Sequence, residues 1–369
     1  MVRRRMVQFL FVTLASACAP AATPTATPVP SPTRQITAPI ATVIPVPSST
    51  HQIAGPAPVE PPARLSLAGE GINVVDYGEA NLARLRPLGF GWIQVFNPPT
   101  YRIHGYKVLY RVPLDEATHG DQAAVNTWAE RLESLARERR GVIHAYAIGN
   151  EVNLSREWGG QPPDPARYAR LLAIAYARIK TADPDALVIS AGIAPTGGAS
   201  AGAADDLAYA EALLQAGIAD YIDGYGFHPY GFAYSPEHAP DDPAARGLLF
   251  RRAEAHRRLM EAYGAGDKLM WATEFGWLLD PSEEGMACSW PELDWQRVTA
   301  RQQADYTVRA FLFARANWPW MGPMFLWNYD FSRAPQHPDP CEQMKFFSLL
   351  DLQGNERLVM RVLRQATAR

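Results

Sequence analysis

Downstream of Arg64 the chain alternates β-rich apolar runs with segments of helical periodicity, and this limits the folds open to it more than any other feature. The β-like runs cover 71–77, 91–97, 107–113, 142–151, 186–194, 221–228, 268–275 and 323–330. Helical patterns cover 80–88, 122–139, 165–182, 203–216, 243–263, 294–317 and 356–365. None is expected after the second run, where Pro98-Pro99 and Gly105 interrupt the chain. The helix over 165–182 shows the logic: Asp164 can cap it, Pro165 suits its first turn, Tyr168, Leu172, Ala175 and Ile179 share one face, and Asp183-Pro184 ends it. Eight strands with intervening helices over about 300 residues predict an α/β fold, a (β/α)8 TIM barrel with a loop in place of the helix after strand two. A doubly wound open sheet is the alternative, but no glycine-rich phosphate fingerprint follows the first run.

The amino terminus reads differently. Arg3-Arg4-Arg5 precede the apolar run 6–14, and Ala15-Ser16-Ala17 forms a small-residue cleavage site before Cys18, so residues 1–17 read as an export signal. The stretch resembles a bacterial lipoprotein signal, which implies a lipidated Cys18 and attachment to the outer face of the cell membrane; plain secretion is the alternative. Leu14 departs from that pattern, standing four residues before the cysteine rather than three. Residues 18–63 are dominated by Pro, Thr, Ala and Ser and read as a disordered, semi-extended tether, which leaves 64–369 as the folded domain. With Cys18 used at the terminus, Cys288 and Cys341 form an even remainder and are expected to pair, for roughly 4 kcal/mol in the chain-entropy treatment.

The 369 residues are 47% hydrophobic and 20% charged, a globular composition. A net charge of −3 argues against a nucleic-acid partner, which would need a concentrated positive face. A monomer is expected. Ten tryptophans supply core, and some supply rings on which the C–H face of a sugar can stack.

Two of the runs end in a glutamate within apolar surroundings: Glu151 in Ala147-Ile148-Gly149-Asn150-Glu151 and Glu274 in Trp271-Ala272-Thr273-Glu274. A carboxylate there costs free energy unless it has a partner or a chemical role. Barrel enzymes place their chemistry at the C-terminal strand ends, and strands four and seven face each other across the mouth. Cleaving a glycosidic bond needs two such groups, one to donate a proton and one to attack or to activate water. The Asn150-Glu151 pair, Glu274 and the aromatic-rich eighth strand resemble clan A glycoside hydrolases, retaining β-glycosidases built on (β/α)8 barrels, over about residues 64–369.

That resemblance implies Glu151 as acid/base and Glu274 as nucleophile, with Asn150 bonding the sugar 2-hydroxyl. His228-Pro229-Tyr230 resembles the clan's His-x-Tyr feature, implying that Tyr230 orients Glu274 and His228 lines the sugar subsite; Trp327 matches the platform beneath the reacting sugar. The cellulase branch of the clan carries an arginine on strand two, where this chain reads Trp92-Ile93-Gln94-Val95-Phe96-Asn97; Arg111 on strand three is the candidate for its place. Solvation accounts for Glu157, Glu237, Glu283 and Glu284, and Asp330 has no motif behind it. One or two of Trp158, Tyr234, Trp277, Trp290 and Trp295 are expected to form sugar subsites. No metal-ligand spacing and no nucleophile elbow is present, and no cofactor is expected. The reading is thus a glycosidase acting on a β-linked oligo- or polysaccharide; a transglycosylase on the same site or an inactive carbohydrate-binding barrel are the alternatives.

Overall fold

The computed structural model describes residues 65–368; the export signal and tether expected over 1–17 and 18–63 lie outside the described residues. Eight parallel strands close into a barrel: β1 (Gly71–Val74), β2 (Trp92–Val95), β3 (Lys107–Val112), β4 (Ala145–Ile148), β5 (Leu187–Ser190), β6 (Gly224–Phe227), β7 (Leu269–Phe275) and β8 (Met321–Leu326). Each pairs with its sequence neighbours, and β8 returns to β1 with Phe325 opposite Gly71. Helices α1 (Glu79–Leu85), α2 (Gln122–Glu138), α3 (Pro165–Ala182), α4 (Asp206–Gln215), α5 (Ala253–Ala262), α6 (Ala300–Asn317) and α7 (Leu358–Ala368) alternate with the strands. A helix-free loop follows β2, as expected. Among the described residues no helix is long and apolar enough to cross a membrane.

Local chemistry sets these boundaries. In α3 the Asp164 carboxylate accepts from Arg167 N at 2.8 Å, Pro165 occupies the first turn, and Tyr168, Leu172, Ala175 and Ile179 are all buried. Two helices are shorter than their periodicity predicts. Over 243–263 only α5 is α-helical, because Arg246 (φ 51°) and Gly247 (φ 75°) turn the chain through the left-handed region. Over 294–317 the helix waits for Ala300, where Thr299 and Gln302 make a reciprocal capping box; before it Arg297–Val298 pairs in parallel with Leu278–Leu279.

Two apolar layers follow from strand alternation. One lies between barrel and helices; the other fills the barrel with Trp92, Leu109, Ala145, Ala147, Ile189, Trp271 and Phe325. Above that plug the inward positions turn polar. Gln94 donates to Asn73 Oδ1 at 2.6 Å, and Asn73 donates to Thr273 O at 3.1 Å and Leu326 O at 3.3 Å. The polar layer forms the floor of the barrel mouth.

A break in β7 shapes that mouth. Met324 and Leu326 of β8 pair with Ala272 and Phe275, so β7 holds one extra residue between the pairs, a bulge. Strict alternation would send Glu274 toward the helices after Thr273 faces inward. The extra residue allows both Thr273 and Glu274 to reach the mouth.

Candidate active site

Glu151 lies just beyond β4, where the backbone turns twice through the left-handed region, at Gly149 (φ 87°) and at Glu151 itself (φ 39°). The φ of Gly149 favours glycine, and a Cβ there would also press on Leu114 Cδ1 at 2.9 Å. A non-glycine residue at positive φ stores strain that its surroundings must hold. Here the hold includes Glu151 N donating to Gly192 O at 2.9 Å and Leu154 N donating to Glu151 O at 2.8 Å.

The two glutamates meet, and both are 4% exposed. One oxygen of each, with a ring nitrogen of His228, lie within 4.8 Å of one another. His228 stands between them: its Nδ1 is 3.1 Å from Glu151 Oε1 and 3.7 Å from Glu274 Oε2, and its Nε2 is 3.0 Å from Thr273 Oγ1. Burial pushes the imidazole down to about 4, so it is neutral at pH 7. An ionised carboxylate only accepts, so a neutral ring facing ionised Glu151 carries its proton on Nδ1 and takes the Thr273 hydroxyl proton at Nε2.

Tyr230 OH donates to Glu274 Oε2 at 2.8 Å. Burial, and after it the Glu274 charge, hold the phenol well above its ordinary value, so it stays a donor. On the other oxygen, Arg111 Nη1 approaches Glu274 Oε1 at 3.4 Å, with its guanidinium 4.4 Å from the centre of the Phe96 ring. Arg111, on β3, is thus the arginine that meets the Glu274 carboxylate at this mouth. Burial lowers its pKa, offset in part by Glu274.

Other groups were not legible as site residues. Arg156, on the turn after β4, pairs with Glu151 Oε2 and reaches Glu157 Oε1 at 3.4 Å; Asn150 Nδ2 donates to the same Glu157 oxygen at 3.5 Å. Glu157 is therefore part of the network and not a merely solvated acid. Glu284, bidentate at 2.7 Å to buried Arg357, is likewise more than a solvated acid; Glu237, which pairs with Arg309, and Glu283, which accepts from Ala300 N at 3.3 Å, are exposed. Asp330 has a structural role instead. It accepts from Val75 N, Asp76 N and Asn81 Nδ2 at 2.8–2.9 Å, tying the β8 end to the loop after β1.

The aromatic residues divide by burial. Trp327, just past β8, is 2% exposed against Phe96 and Phe331. Trp158 and Trp277 are buried, and Trp290 packs on Phe346. Trp295 is 45% exposed, stacks on Phe232 at 5.5 Å, and with it lines a cleft that has Glu151 in its wall. Cys288 and Cys341, on the loops after β7 and β8, form a disulfide with α-carbons 5.3 Å apart, bracing this side of the mouth.

Glu151, His228 and Glu274 are also the one group among the described residues whose donors could surround a metal ion. Their neighbours oppose that use. Arg111 and Arg156 already bring positive charge to both carboxylates, and Tyr230 occupies Glu274 Oε2. The arrangement suits proton transfer and carboxylate attack better than cation binding.

No protein-family model matches this chain, and no curated protein does. Solved structures match its fold. A family 39 glycoside hydrolase from the gut symbiont Bacteroides cellulosilyticus WH2 superposes with a TM-score of 0.58 at 18% identity, over 82% of this chain and 64% of that one. A monomeric β-xylosidase from Caulobacter crescentus CB15 gives 0.54 at 14% identity, over 83% and 69%. A family 128 (subgroup II) endo-β-1,3-glucanase from Sorangium cellulosum gives 0.51 at 16% identity, over 81% and 98%. The barrel therefore shares the (β/α)8 fold of these glycoside hydrolases. At these identities the likeness is one of fold, and no family is assigned.

Proposed function

We propose that the protein is a retaining glycoside hydrolase acting on β-linked carbohydrate, with Glu274 as nucleophile and Glu151 as acid/base. The observation that carries the reading is the spacing of the two carboxylates, with oxygens inside 4.8 Å. Retaining enzymes hold their carboxyl groups about 5–5.5 Å apart, whereas inverting enzymes leave about 6.5–9.5 Å for a water. In the first step a Glu274 oxygen bonds to the anomeric carbon as the bond to the leaving oxygen breaks, and that oxygen takes the Glu151 proton. In the second step ionised Glu151 removes a proton from water, which attacks the same carbon and frees Glu274.

The remaining residues support those steps. Tyr230 and Arg111 fix the attacking carboxylate, one on each oxygen. His228 holds Glu151 in position while lining the subsite, Asn150 bonds the sugar 2-hydroxyl, and Trp327 with Phe96 and Phe331 forms an apolar side of the subsite. Substrate binding has to loosen the Arg156 pair before Glu151 can serve as an acid. Residues 1–17 direct export, Cys18 carries lipid, and 18–63 tether the catalytic domain to the cell surface; mass spectrometry of the mature amino terminus tests this.

The assignment of roles is tested on 4-nitrophenyl β-glycosides. Glu274→Ala abolishes turnover, because no glycosyl-enzyme forms. Glu151→Ala loses about 10²- to 10⁴-fold on substrates whose leaving group needs protonation. Added azide then rescues its second step and gives a β-glycosyl azide. Azide rescue of Glu274→Ala with a β product, or of Glu151→Ala with an inverted one, would reverse the assignment.

A further inference from the structure

The cavity beside Glu151 holds information about the leaving group. Resting on the glycosidase reading above, we propose that it is an aglycone pocket and that the aglycone it takes is an apolar aromatic or branched alkyl alcohol, not a second sugar. In a retaining enzyme the leaving oxygen sits on the acid, so whatever is attached to that oxygen extends into the space that Glu151 borders. That space is a cleft open to solvent whose lining is mainly apolar, as small-ligand sites are. It is walled by loops following β4, β5, β6 and β7, and its lining includes Leu154, Ala194, Phe232, Leu248, Leu293 and Trp295.

The polar groups in that wall are mostly committed. Thr196 Oγ1 donates to Ala204 O at 3.0 Å, Tyr230 donates to Glu274, and Arg156 pairs with Glu151 and Glu157. Ser200 Oγ, a buried oxygen with no hydrogen-bond partner, and the side chains of Glu292 and Gln296, which also line the cavity, are the polar groups left to meet a ligand. A pyranose entering here would bury most of its hydroxyls against alkyl and aromatic carbon, and those that these three side chains do not reach would lose their water without replacement. An aromatic alcohol buries one oxygen, which lies at Glu151, and carbon that the Phe232–Trp295 stack and the leucines can cover. The aglycone leaves as a neutral alcohol or phenol, having taken the Glu151 proton.

The test titrates the full chain with 2-naphthol and, separately, with cellobiose, xylobiose and mannobiose, by calorimetry and tryptophan fluorescence. 2-Naphthol binds more tightly than any of the disaccharides, and Trp295→Ala weakens it about tenfold, the loss expected for one aromatic face. Leu248→Asn weakens it as well, and neither variant changes the melting temperature, since both side chains border the open cavity. A disaccharide that binds more tightly than 2-naphthol and is lost in Trp295→Ala would make the pocket a sugar subsite and overturn the proposal. So would 2-naphthol binding that both variants leave unchanged. Because these readouts need no turnover, they decide on the pocket even if every glycoside proves inert and the catalytic reading fails.

Discussion

Gly192, in the loop after β5, shows how little freedom the candidate site has. A Cβ there would stand 2.0 Å from His228 Nε2 and 2.5 Å from Thr273 Oγ1, so the imidazole could not remain between the glutamates. Gly192→Ala should therefore lower kcat by about 10²-fold through misplacement of Glu151, with far-UV circular dichroism unchanged. Steady-state kinetics on a 4-nitrophenyl glycoside measures it; an unchanged kcat would remove His228 from any positioning role. Glu151, Glu274 and Tyr230 were legible because each stands at or beside a strand end within a motif of unlike residues. Arg156 was not, since an arginine five residues past a glutamate is ordinary loop composition until the turn brings it back to the Glu151 carboxylate.

The elements carry a different lesson. All eight strands were legible from apolar runs, but the β7 bulge was not: Met270-Trp271-Ala272-Thr273-Glu274-Phe275 is buried throughout, so its alternation has no polar phase in which an inserted residue would show. Likewise 243–252 has helical composition, and only backbone conformations that sequence periodicity does not register keep it out of α5. The loop carrying Trp295 depends on tertiary fastening. Trp290 Nε1 donates to Cys341 O at 2.8 Å, Arg297 Nη2 donates to Cys288 O at 3.1 Å, and the disulfide joins the two loops directly. Replacing both cysteines by serine should cost up to about 4 kcal/mol in urea unfolding, from lost loop-closure entropy. The same change should raise the Kd for 2-naphthol while leaving azide rescue of Glu151→Ala intact, because Glu151 and Glu274 stand on or just beyond barrel strands and much of the pocket wall on the loops that the disulfide fastens. Stability equal to wild type would mean that the loops are held by their other contacts alone.

On the scale of the whole molecule, the barrel buries titratable groups whose protons respond to pH in opposite senses. His228 is held down to about 4 by burial, from an ordinary 6.5. Between those values the unfolded chain binds a proton that the native state refuses, so acidification destabilises, by on the order of 3 kcal/mol once pH 4 is reached. His256, buried and facing Asp206, shifts in the same direction. Asp330 is pushed up to about 6, its burial outweighing the N–H donors around it, from an ordinary 3.8. In that window the native state binds a proton that the unfolded chain releases, so acidification stabilises. The two effects offset each other below pH 6, and single variants separate them. His228→Asn should flatten the fall in unfolding free energy between pH 6.5 and 4.5 relative to wild type, and Asp330→Asn should steepen it. Urea unfolding at both pH values measures each slope as a difference from wild type, which cancels the surface carboxylates common to all three proteins. Slopes that change in the same direction in both variants would mean that either His228 or Asp330 is buried in the opposite ionisation state.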